Sequence, residues 1–231
     1  MMATVRQHGA LPDALLARRH ISPARPRFSH SVTAVSTVWE SAKLLPMSKK
    51  PKCALLVIDV QNEYFTGKLP ITYPAGSLTN VLSAMDAART KGLPVVVIQH
   101  TSAQPDAAVF RKNSKEWELH PEVAARMHDV LIHKSLPGSF TGTQLETWLR
   151  QHGVEALVIA GYMTQMCCDT TARQAMHLGF GVEFLSDGTG TLSIKNDAGE
   201  VSGEELHRAI LVTQQMRFSR VLPTSNWIDQ L

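Results

Sequence analysis

Residues 156–176, ALVIAGYMTQMCCDTTARQAM, contain the two patterns that decide the fold. The stretch starts with a nearly continuous apolar run, 156–162, which is typical of a strand buried on both faces of a sheet. From about Cys167 onward the sequence has the pattern of a helix. A buried strand that leads into a helix is the repeating unit of a parallel sheet covered by helices. Two adjacent cysteines, Cys167 and Cys168, stand near this junction.

The same alternation of strand and helix patterns extends along the chain from Cys53 onward. Six runs have the length and composition of buried strands: 53–60, 94–100, 129–134, 156–162, 181–187 and 220–224. Helical patterns lie between them at 78–92, 141–153 and 202–216. We therefore predict one α/β domain over about residues 50–231, with a parallel sheet between two layers of helices.

Two of the helical patterns begin with a potential capping box. In this motif a Ser or Thr and a Glu three residues later each bond to the other's main-chain amide. The pairs are Thr143 with Glu146 and Ser202 with Glu205. A helix start is predicted at each pair.

The composition is that of an ordinary globular protein, with 44% hydrophobic residues in a chain of 231. The three cysteines, Cys53, Cys167 and Cys168, are odd in number and include an adjacent pair, so a secreted-type disulfide framework is not expected. No CxxC or HExxH motif favours a metal site. No apolar run approaches the roughly 20 residues of a membrane span. We predict a cytoplasmic protein without a cofactor.

The net charge of +3 originates in the first part of the chain. Residues 1–46 hold six Lys and Arg against two Asp and Glu, a surplus of four, so the remainder carries a net charge of about −1. The remainder has no basic stripe with interleaved aromatic residues, and nucleic-acid binding is therefore not expected.

Residues 1–46 are predicted to be a flexible N-terminal extension, because they carry scattered Arg, Ser and Pro and show no sustained apolar period. The extension is interpreted as dispensable or as the result of a mis-assigned start, with Met47 as the natural start. A transit peptide, which would place the protein in mitochondria, has the same composition and is an alternative. A functional arm is a third.

Three chemically different side chains stand at or after the ends of predicted strands: Asp59, Lys134 and Cys167. Each alone has an ordinary explanation, as a turn residue, a solvated cation or a small core residue. Ligands of open parallel sheets gather at the carboxyl ends of the strands, so the three side chains are expected to meet. Asp59 would accept the thiol proton, and Lys134 would stabilise the thiolate. Amides at the helix start would bind an oxyanion, which suits acyl transfer through a thioester.

Three motifs, spread over the predicted sheet, are similar to those of a known family. They are LLVIDVQNEYF at 55–65, HKSLPGSFTGTQLETWL at 133–149 and AGYMTQMCCDTTARQA at 160–175. With them the chain from about Cys53 to Leu231 resembles the isochorismatase-like cysteine hydrolases, the superfamily of nicotinamidase, N-carbamoylsarcosine amidase and ureidoacrylate hydrolase. The resemblance implies a Rossmann-like three-layer sandwich whose six-stranded parallel sheet has the order 3-2-1-4-5-6.

By position, the resemblance assigns the acid to Asp59, the lysine to Lys134 and the nucleophile to Cys167. The family places its nucleophile three residues after a motif threonine, here Thr164, which selects Cys167. Cys168 is then interpreted as a packing residue.

The resemblance also implies how an oxyanion is bound. A cis peptide precedes the motif threonine in the family, and here it corresponds to the Tyr162–Met163 bond. The implied oxyanion donors are the main-chain amides of Met163 and Cys167.

The predicted lysine position raises a question of distance. Neighbouring strands lie about 4.8 Å apart, so a lysine on the third strand would be roughly 10 Å from Asp59 if the second strand intervenes. The chain after Lys134, SLPGSF, is therefore expected to lean back over the sheet, with Pro137 and Gly138 in the turn.

The resemblance bears on the substrate as well. Nicotinamidases bind a divalent metal through an Asp and two His, including a D-x-H pair after the second strand. The equivalent stretch here, QHTSAQPD at 99–106, has His100 but no such pair. This argues against a metal and against nicotinamide. Isochorismatases that cleave a vinyl ether need no thiol nucleophile, so Cys167 favours cleavage of a C–N bond.

Candidate substrate-binding residues lie on the loops at the carboxyl end of the sheet. They are Gln61, Tyr64, Phe65, Trp117, Phe140 and Tyr162, with Met163, His100 and His120 as further candidates. Each has an alternative role in the core or at a subunit interface. Their mainly aromatic character suits a small, flat or weakly polar amide.

Together, these observations predict a metal-independent cysteine hydrolase that cleaves a C–N bond of a small amide, ureide or carbamoyl compound through a thioester. Two alternatives stay open: a vinyl-ether hydrolase with Asp59 as general acid, and a non-catalytic binding or redox-sensing module. The predicted partner is a small-molecule substrate, and the resemblance implies a homo-dimer or homo-tetramer.

Overall fold

The structure, a computed structural model, describes residues 52–231. The predicted N-terminal extension, residues 1–46, lies outside the described residues. The described part of the chain contains eight strands: β1 (Cys53–Ile58), β2 (Val95–His100), β3 (Val130–Lys134), β4 (Ala156–Tyr162), β5 (Gly181–Gly190), β6 (Ile194–Asn196), β7 (Gly199–Val201) and β8 (Arg220–Leu222).

The main sheet has the order β3-β2-β1-β4-β5-β8, and all of its strands are parallel. This confirms the predicted α/β fold and the order 3-2-1-4-5-6, because β8 is the sixth strand of this sheet. Strands β6 and β7, which were not predicted from the sequence, form a separate antiparallel hairpin. Strand β5 continues to Gly190, three residues beyond its predicted end.

Helices connect the strands and cover the sheet. They are α1 (Ser77–Thr90), α2 (Pro121–Ala124), α3 (Leu145–Gln151), α4 (Asp169–His177), α5 (Gly203–Thr213) and α6 (Thr224–Ile228). A 3-10 turn at Asn62–Tyr64 follows β1, and π-helical turns at Thr164–Cys168 and Gln214–Phe218 precede α4 and follow α5.

One of the two predicted capping boxes is present. Ser202 and Glu205 bond to each other's main-chain amides at the start of α5. The box predicted at Thr143 is wrong, because α3 begins two residues later and its N-cap is Gln144. The Thr143 hydroxyl instead accepts a bond from the Leu145 amide, at 3.2 Å, within the loop that leads into the helix.

Apolar residues on both faces of the sheet form the core. Leu55 of β1 packs in one cluster with Met85 of α1, and its neighbour Leu56 packs in a second cluster with Leu149 of α3. All four side chains are fully or almost fully buried. Successive residues of a strand point to opposite faces, so a strand covered on both sides must be apolar throughout. No helix within residues 52–231 is both long and apolar enough to cross a membrane.

A glycine lets β1 and β4 approach closely below their carboxyl ends. Gly161 of β4 lies opposite Ile58 of β1 and has a φ of +116°. A Cβ at this position would collide with the carbonyl oxygen of Ile58. Asp59 follows Ile58 and Tyr162 follows Gly161, so this contact sets the spacing of the two chain segments that enter the candidate site.

Gly161→Ala is expected to lower the free energy of unfolding by about 3 kcal/mol or more, because an unfavourable φ is combined with a main-chain collision. Gly153→Ala is the control, since Gly153 also has a positive φ, +64°, but a methyl group at its Cα would meet no atom within 4 Å. Gly153→Ala should lower the free energy of unfolding by only about 1–2 kcal/mol. Urea unfolding of both variants measures the difference, and equal losses would contradict the steric argument.

Candidate active site

The structure brings Asp59, Lys134 and Cys167 together at the carboxyl end of the sheet. Lys134 Nζ lies 2.6 Å from Asp59 Oδ2 and 3.2 Å from Cys167 Sγ. The side chains of Asp59 and Lys134 have no exposed surface, and Cys167 is 7% exposed. The ammonium group thus contacts both the carboxylate and the thiol in an environment almost free of water.

Each of the three side chains is placed by a different local structure. Asp59 directly follows β1 and has a φ of +52°, a left-handed conformation that Asp tolerates better than most residues. Lys134 is the last residue of β3, and Cys167 lies in the π-helical turn between β4 and α4. Three parallel strands therefore deliver the three groups to one edge, as expected for an open parallel sheet.

Lys134 reaches Asp59 with its own side chain. Lys134 pairs with His100 at the end of β2, and its Nζ passes 3.4 Å from His100 Nδ1. Lys134 is still part of β3, so its side chain crosses the end of β2 without help from the residues that follow it. Those residues do turn back over the sheet as expected, because the Ser139 amide donates to the hydroxyl of Thr171 in α4 at 3.0 Å. The ammonium group faces three acceptors, which are a carboxylate, a thiol and an imidazole.

The neighbouring histidine is neutral. Burial, with a smaller contribution from the charge of Lys134, lowers the pKa of His100 to about 4. The Lys134 ammonium has only N–H donors, so Nδ1 of His100 acts as the acceptor and the ring proton lies on Nε2. The His100 ring also contacts the edge of the Phe110 ring, with the ring centres 5.1 Å apart.

Burial opposes the charged form of both members of the ion pair. It raises the pKa of Asp59, and the positive charge of Lys134 opposes this shift only in part. Burial alone would lower the pKa of Lys134, but its interactions with Asp59 and Cys167 together outweigh burial and raise this pKa. Lys134 therefore stays protonated. Apart from the ion pair, neither carboxylate oxygen of Asp59 has a hydrogen bond of good geometry among the described residues.

The pKa of Cys167 is raised as well, because burial and the charge of Asp59 outweigh Lys134. The resting group is therefore a thiol, and stabilisation of a thiolate by Lys134 stays a prediction for the step in which the proton moves to Asp59. Transfer of the thiol proton to Asp59 nevertheless leaves the net charge of the three groups unchanged. Burial opposes loss of the proton to water far more than this internal transfer.

Cys168 has a different environment from its neighbour. It is fully buried within the apolar cluster that contains Ala172 and Phe184, and burial raises its pKa well above the usual value. This position fits the interpretation of Cys168 as a packing residue.

The turn before Cys167 contains the main-chain amides that the resemblance assigns to the oxyanion. The Tyr162–Met163 bond is cis. The carbonyl of Met163 accepts bonds from the amides of Met166 and Cys168, at 3.1 and 3.2 Å, and the intervening amide of Cys167 is not among its donors. The Cys167 amide therefore does not share the acceptor that its two neighbours use.

Gln61, a candidate substrate-binding residue, is completely buried. Its side-chain nitrogen donates to the carbonyls of His100 and Trp117, at 2.9 and 2.7 Å, and its side-chain oxygen accepts from the His100 amide at 2.8 Å. Both amide protons are thus used within the protein. Gln61 joins the end of β2 to the loop that carries Trp117.

Three other candidates, Tyr64, Phe65 and Tyr162, form one aromatic group. The Tyr162 ring lies 5.5 Å from Tyr64 and 5.8 Å from Phe65, edge to face in both cases. Tyr162 and Tyr64 are buried, whereas Phe65 is half-buried and also contacts His120 at 4.5 Å. Burial raises the pKa of Tyr162 to about 12, and its hydroxyl bonds to Ser77 at 3.1 Å.

Trp117 and Phe140 do not belong to this aromatic group. Trp117 stacks on His133 and donates to the Thr101 hydroxyl at 2.7 Å, and it lines a cleft of about 370 Å³ beside Lys134. The Phe140 ring stacks on the ring of Phe180, with the ring centres 6.0 Å apart, and Phe180 directly precedes the first residue of β5. Its ring is therefore engaged with the segment that enters the amino end of that strand.

Two residues near the site were missed by the sequence analysis. Phe110 is 6% exposed, has a φ of +52°, and packs against His100 and Tyr64. His207 of α5 bonds to Thr164, next to the cis peptide. No strand end or motif marked Phe110, and His207 lies inside an ordinary amphipathic helix pattern.

The part of the chain that the structure describes has no group of three or more His, Cys, Asp or Glu side chains arranged to hold a metal ion. The three groups that do meet are a potential base, a cation and a potential nucleophile. An arrangement of this kind suits covalent acyl transfer.

Comparison with known proteins gives consistent matches along the described domain. A family model described as the isochorismatase domain matches residues 53–223. The chain is 32% identical over 176 residues to YddQ of Bacillus subtilis, an isochorismatase family protein, covering 76% of this chain and 98% of the relative. It is 31% identical over 193 residues to Nicotinamidase 3 of Arabidopsis thaliana, covering 78% and 88%.

Among solved structures, the chain matches the crystal structure of a candidate isochorismatase from Burkholderia xenovorans LB400. The TM-score is 0.76 and the sequence identity 47%, with 78% of this chain and 88% of that chain covered.

Proposed function

The chain belongs to the isochorismatase family, and from this premise we propose that it is a metal-independent cysteine hydrolase. Its substrate would be a small amide, ureide or carbamoyl compound, cleaved at a C–N bond through a thioester. The observation that carries the proposal is the position of Lys134 Nζ, within 3.2 Å of both the Asp59 carboxylate and the Cys167 sulfur. Similarity to Nicotinamidase 3, a protein named for action on an amide, supports the bond type.

In the first step the sulfur of Cys167 attacks the substrate carbonyl carbon while its proton moves to Asp59. The negative charge that leaves sulfur appears on the carbonyl oxygen, where the amides of Met163 and Cys167 would bind it. Lys134 keeps its charge throughout and compensates first the carboxylate and then the sulfur. Because the whole site stays electrically balanced, its burial is compatible with the reaction.

In the second step the tetrahedral intermediate collapses. The protonated carboxyl of Asp59 gives its proton to the leaving nitrogen, the C–N bond breaks, and a thioester on Cys167 remains. Asp59 is again a carboxylate, so it can take a proton from a water molecule that attacks the thioester. The C–S bond then breaks, the thiolate regains a proton from Asp59, and an acid is released.

A panel of small amides, ureides and carbamoyl compounds, assayed for ammonia release, tests the proposal. We expect turnover of at least one uncharged member. Mass spectrometry of acid-quenched protein should show an acyl adduct on Cys167 during turnover. Incubation with EDTA should leave the rate unchanged.

Absence of turnover across the panel would count against the amidohydrolase. An adduct confined to Cys168, or a rate that is lost in EDTA and restored by a divalent metal, would contradict the proposed mechanism.

A further inference from the structure

A buried hydrogen-bond chain stands behind the turn that carries the proposed oxyanion donors. The hydroxyl of Thr164 lies 2.9 Å from Nδ1 of His207, and Nε2 of the same ring lies 2.8 Å from the carbonyl oxygen of Ser186. Thr164 is completely buried and His207 is 3% exposed. Neither Thr164 nor His207 takes part in the proton transfers described above.

The direction of this chain follows from the chemistry of its ends. The carbonyl of Ser186 can only accept, so Nε2 of His207 carries the ring proton. Burial lowers the pKa of His207, and the ring is neutral near pH 7. Nδ1 is therefore an acceptor, and the Thr164 hydroxyl donates to it. Both nitrogens have defined roles, so the ring cannot rotate without losing two buried hydrogen bonds.

The hydrogen-bond chain connects the turn to two elements that carry none of Asp59, Lys134 and Cys167. His207 belongs to α5 and Ser186 to β5, and Thr164 directly follows Met163. At the next residue of the turn, the Gln165 side-chain oxygen accepts a bond from the Thr191 hydroxyl at 2.7 Å. Two side-chain hydrogen bonds thus hold the short segment between the cis peptide and the nucleophile.

We propose that His207 is a positioning residue for the hydrolysis: by holding Thr164, it keeps the Met163 amide directed at the oxyanion. This inference rests on the proposed function. It goes further because it separates two requirements of the site. Asp59 and Lys134 prepare the sulfur, whereas His207 prepares the place where the substrate oxygen becomes negative. An oxyanion donor that moves by a fraction of an ångström loses much of its effect, because its bond strengthens only in the transition state.

Two substitutions of His207 test the inference. Leu removes both hydrogen bonds, whereas Gln offers one acceptor and one donor at nearly the same separation as the two ring nitrogens. We expect His207→Leu to reduce kcat by about 10-fold to 100-fold with KM changed less than about twofold. His207→Gln should recover most of the lost kcat.

Alkylation of Cys167 by iodoacetamide provides the readout that separates positioning from general damage. This reaction needs the thiol and its base but forms no oxyanion, so its rate should be the same in the wild type and both variants. If kcat, the alkylation rate and the midpoint of urea unfolding all fall together, His207 has a merely structural role and the inference is overturned. Unchanged kcat in His207→Leu would overturn it as well.

A second pair of variants covers the case in which His207→Leu does not fold. Thr164→Val removes the hydroxyl at constant shape, and Thr164→Ser retains it. The same loss of kcat is expected for Val and its recovery for Ser, and equal kcat values in the two would overturn the inference. Failure of the proposed function looks different, because wild-type protein itself would then release no ammonia and the inference would fall with it.

Discussion

Cys167→Ala is expected to reduce kcat for ammonia release by about a thousandfold or more, because the bond-forming atom is lost. Cys168→Ala is expected to retain most of the activity. The two side chains are adjacent in sequence but differ in surroundings, since the Cys167 sulfur lies 3.2 Å from Lys134 Nζ and Cys168 is fully buried in the apolar core.

Cys168→Ala serves as the matched control, since both variants lose one thiol and gain no group. Loss of the buried sulfur should lower the free energy of unfolding by about 1 kcal/mol, which urea unfolding measures. Equal losses of kcat in the two variants would contradict the assignment of the nucleophile. Full activity of Cys167→Ala on an isochorismate-like vinyl ether would instead favour the alternative route, in which Asp59 acts as general acid and no thiol is needed.

The sheet order and the meeting of the three groups followed from different kinds of sequence information. The buried strands were visible as apolar runs, and Asp59 and Lys134 stand at strand ends where a parallel sheet gathers its polar groups. The order of the strands came from the family resemblance. The hairpin of β6 and β7 was missed because two strands of three residues carry too short a pattern to be recognised.

Two features of the site, the reach of the Lys134 side chain and the resting thiol, could not be predicted from the sequence. Strand spacing gave the distance between main chains, but a lysine side chain is long enough to cross one intervening strand end, and Lys134 does so past His100. The thiolate was expected from Asp59 as proton acceptor and from the positive charge of Lys134. How deeply Asp59 and Cys167 are buried cannot be read from sequence, and burial decides the direction of their pKa shifts.

The aromatic candidates show a further limit. Their residue type fits a ligand pocket and a core equally well, and only the packing distinguishes the buried Tyr162 from the half-buried Phe65. Gln61 was attractive as a polar residue beside Asp59, yet its amide is fully bonded to two main-chain carbonyls. A side chain's hydrogen-bond partners depend on loops that have no periodic pattern, and the loop carrying Trp117 is one of them.

Asp59→Asn and Lys134→Met are each expected to reduce kcat to near background, since the first removes the proton acceptor and the second removes the charge that compensates the sulfur. Lys134→Met should also lower the free energy of unfolding by about 3–5 kcal/mol at neutral pH, because it leaves a buried carboxylate without its partner.

The stability of Lys134→Met should depend on pH. The pKa of Asp59 is already raised by burial, and loss of the lysine raises it further. The Asp59 carboxyl of the folded variant then holds its proton more tightly than the same carboxyl in the unfolded chain. Its stability should therefore increase as the pH falls and decrease as the pH rises through the folded pKa.

The double variant, Asp59→Asn with Lys134→Met, separates stability from catalysis. It contains no buried charge at this position, so most of the unfolding free energy lost in Lys134→Met should return while kcat stays near background. Lys195→Met is the control for loss of an ion pair in general, because Lys195 and Glu200 are 2.8 Å apart but largely exposed, and little change in stability is expected. Recovery of activity in the double variant would show that the pair only supports the fold. If the pair is retained for chemistry, its replacement by uncharged residues should restore the free energy of unfolding but not kcat.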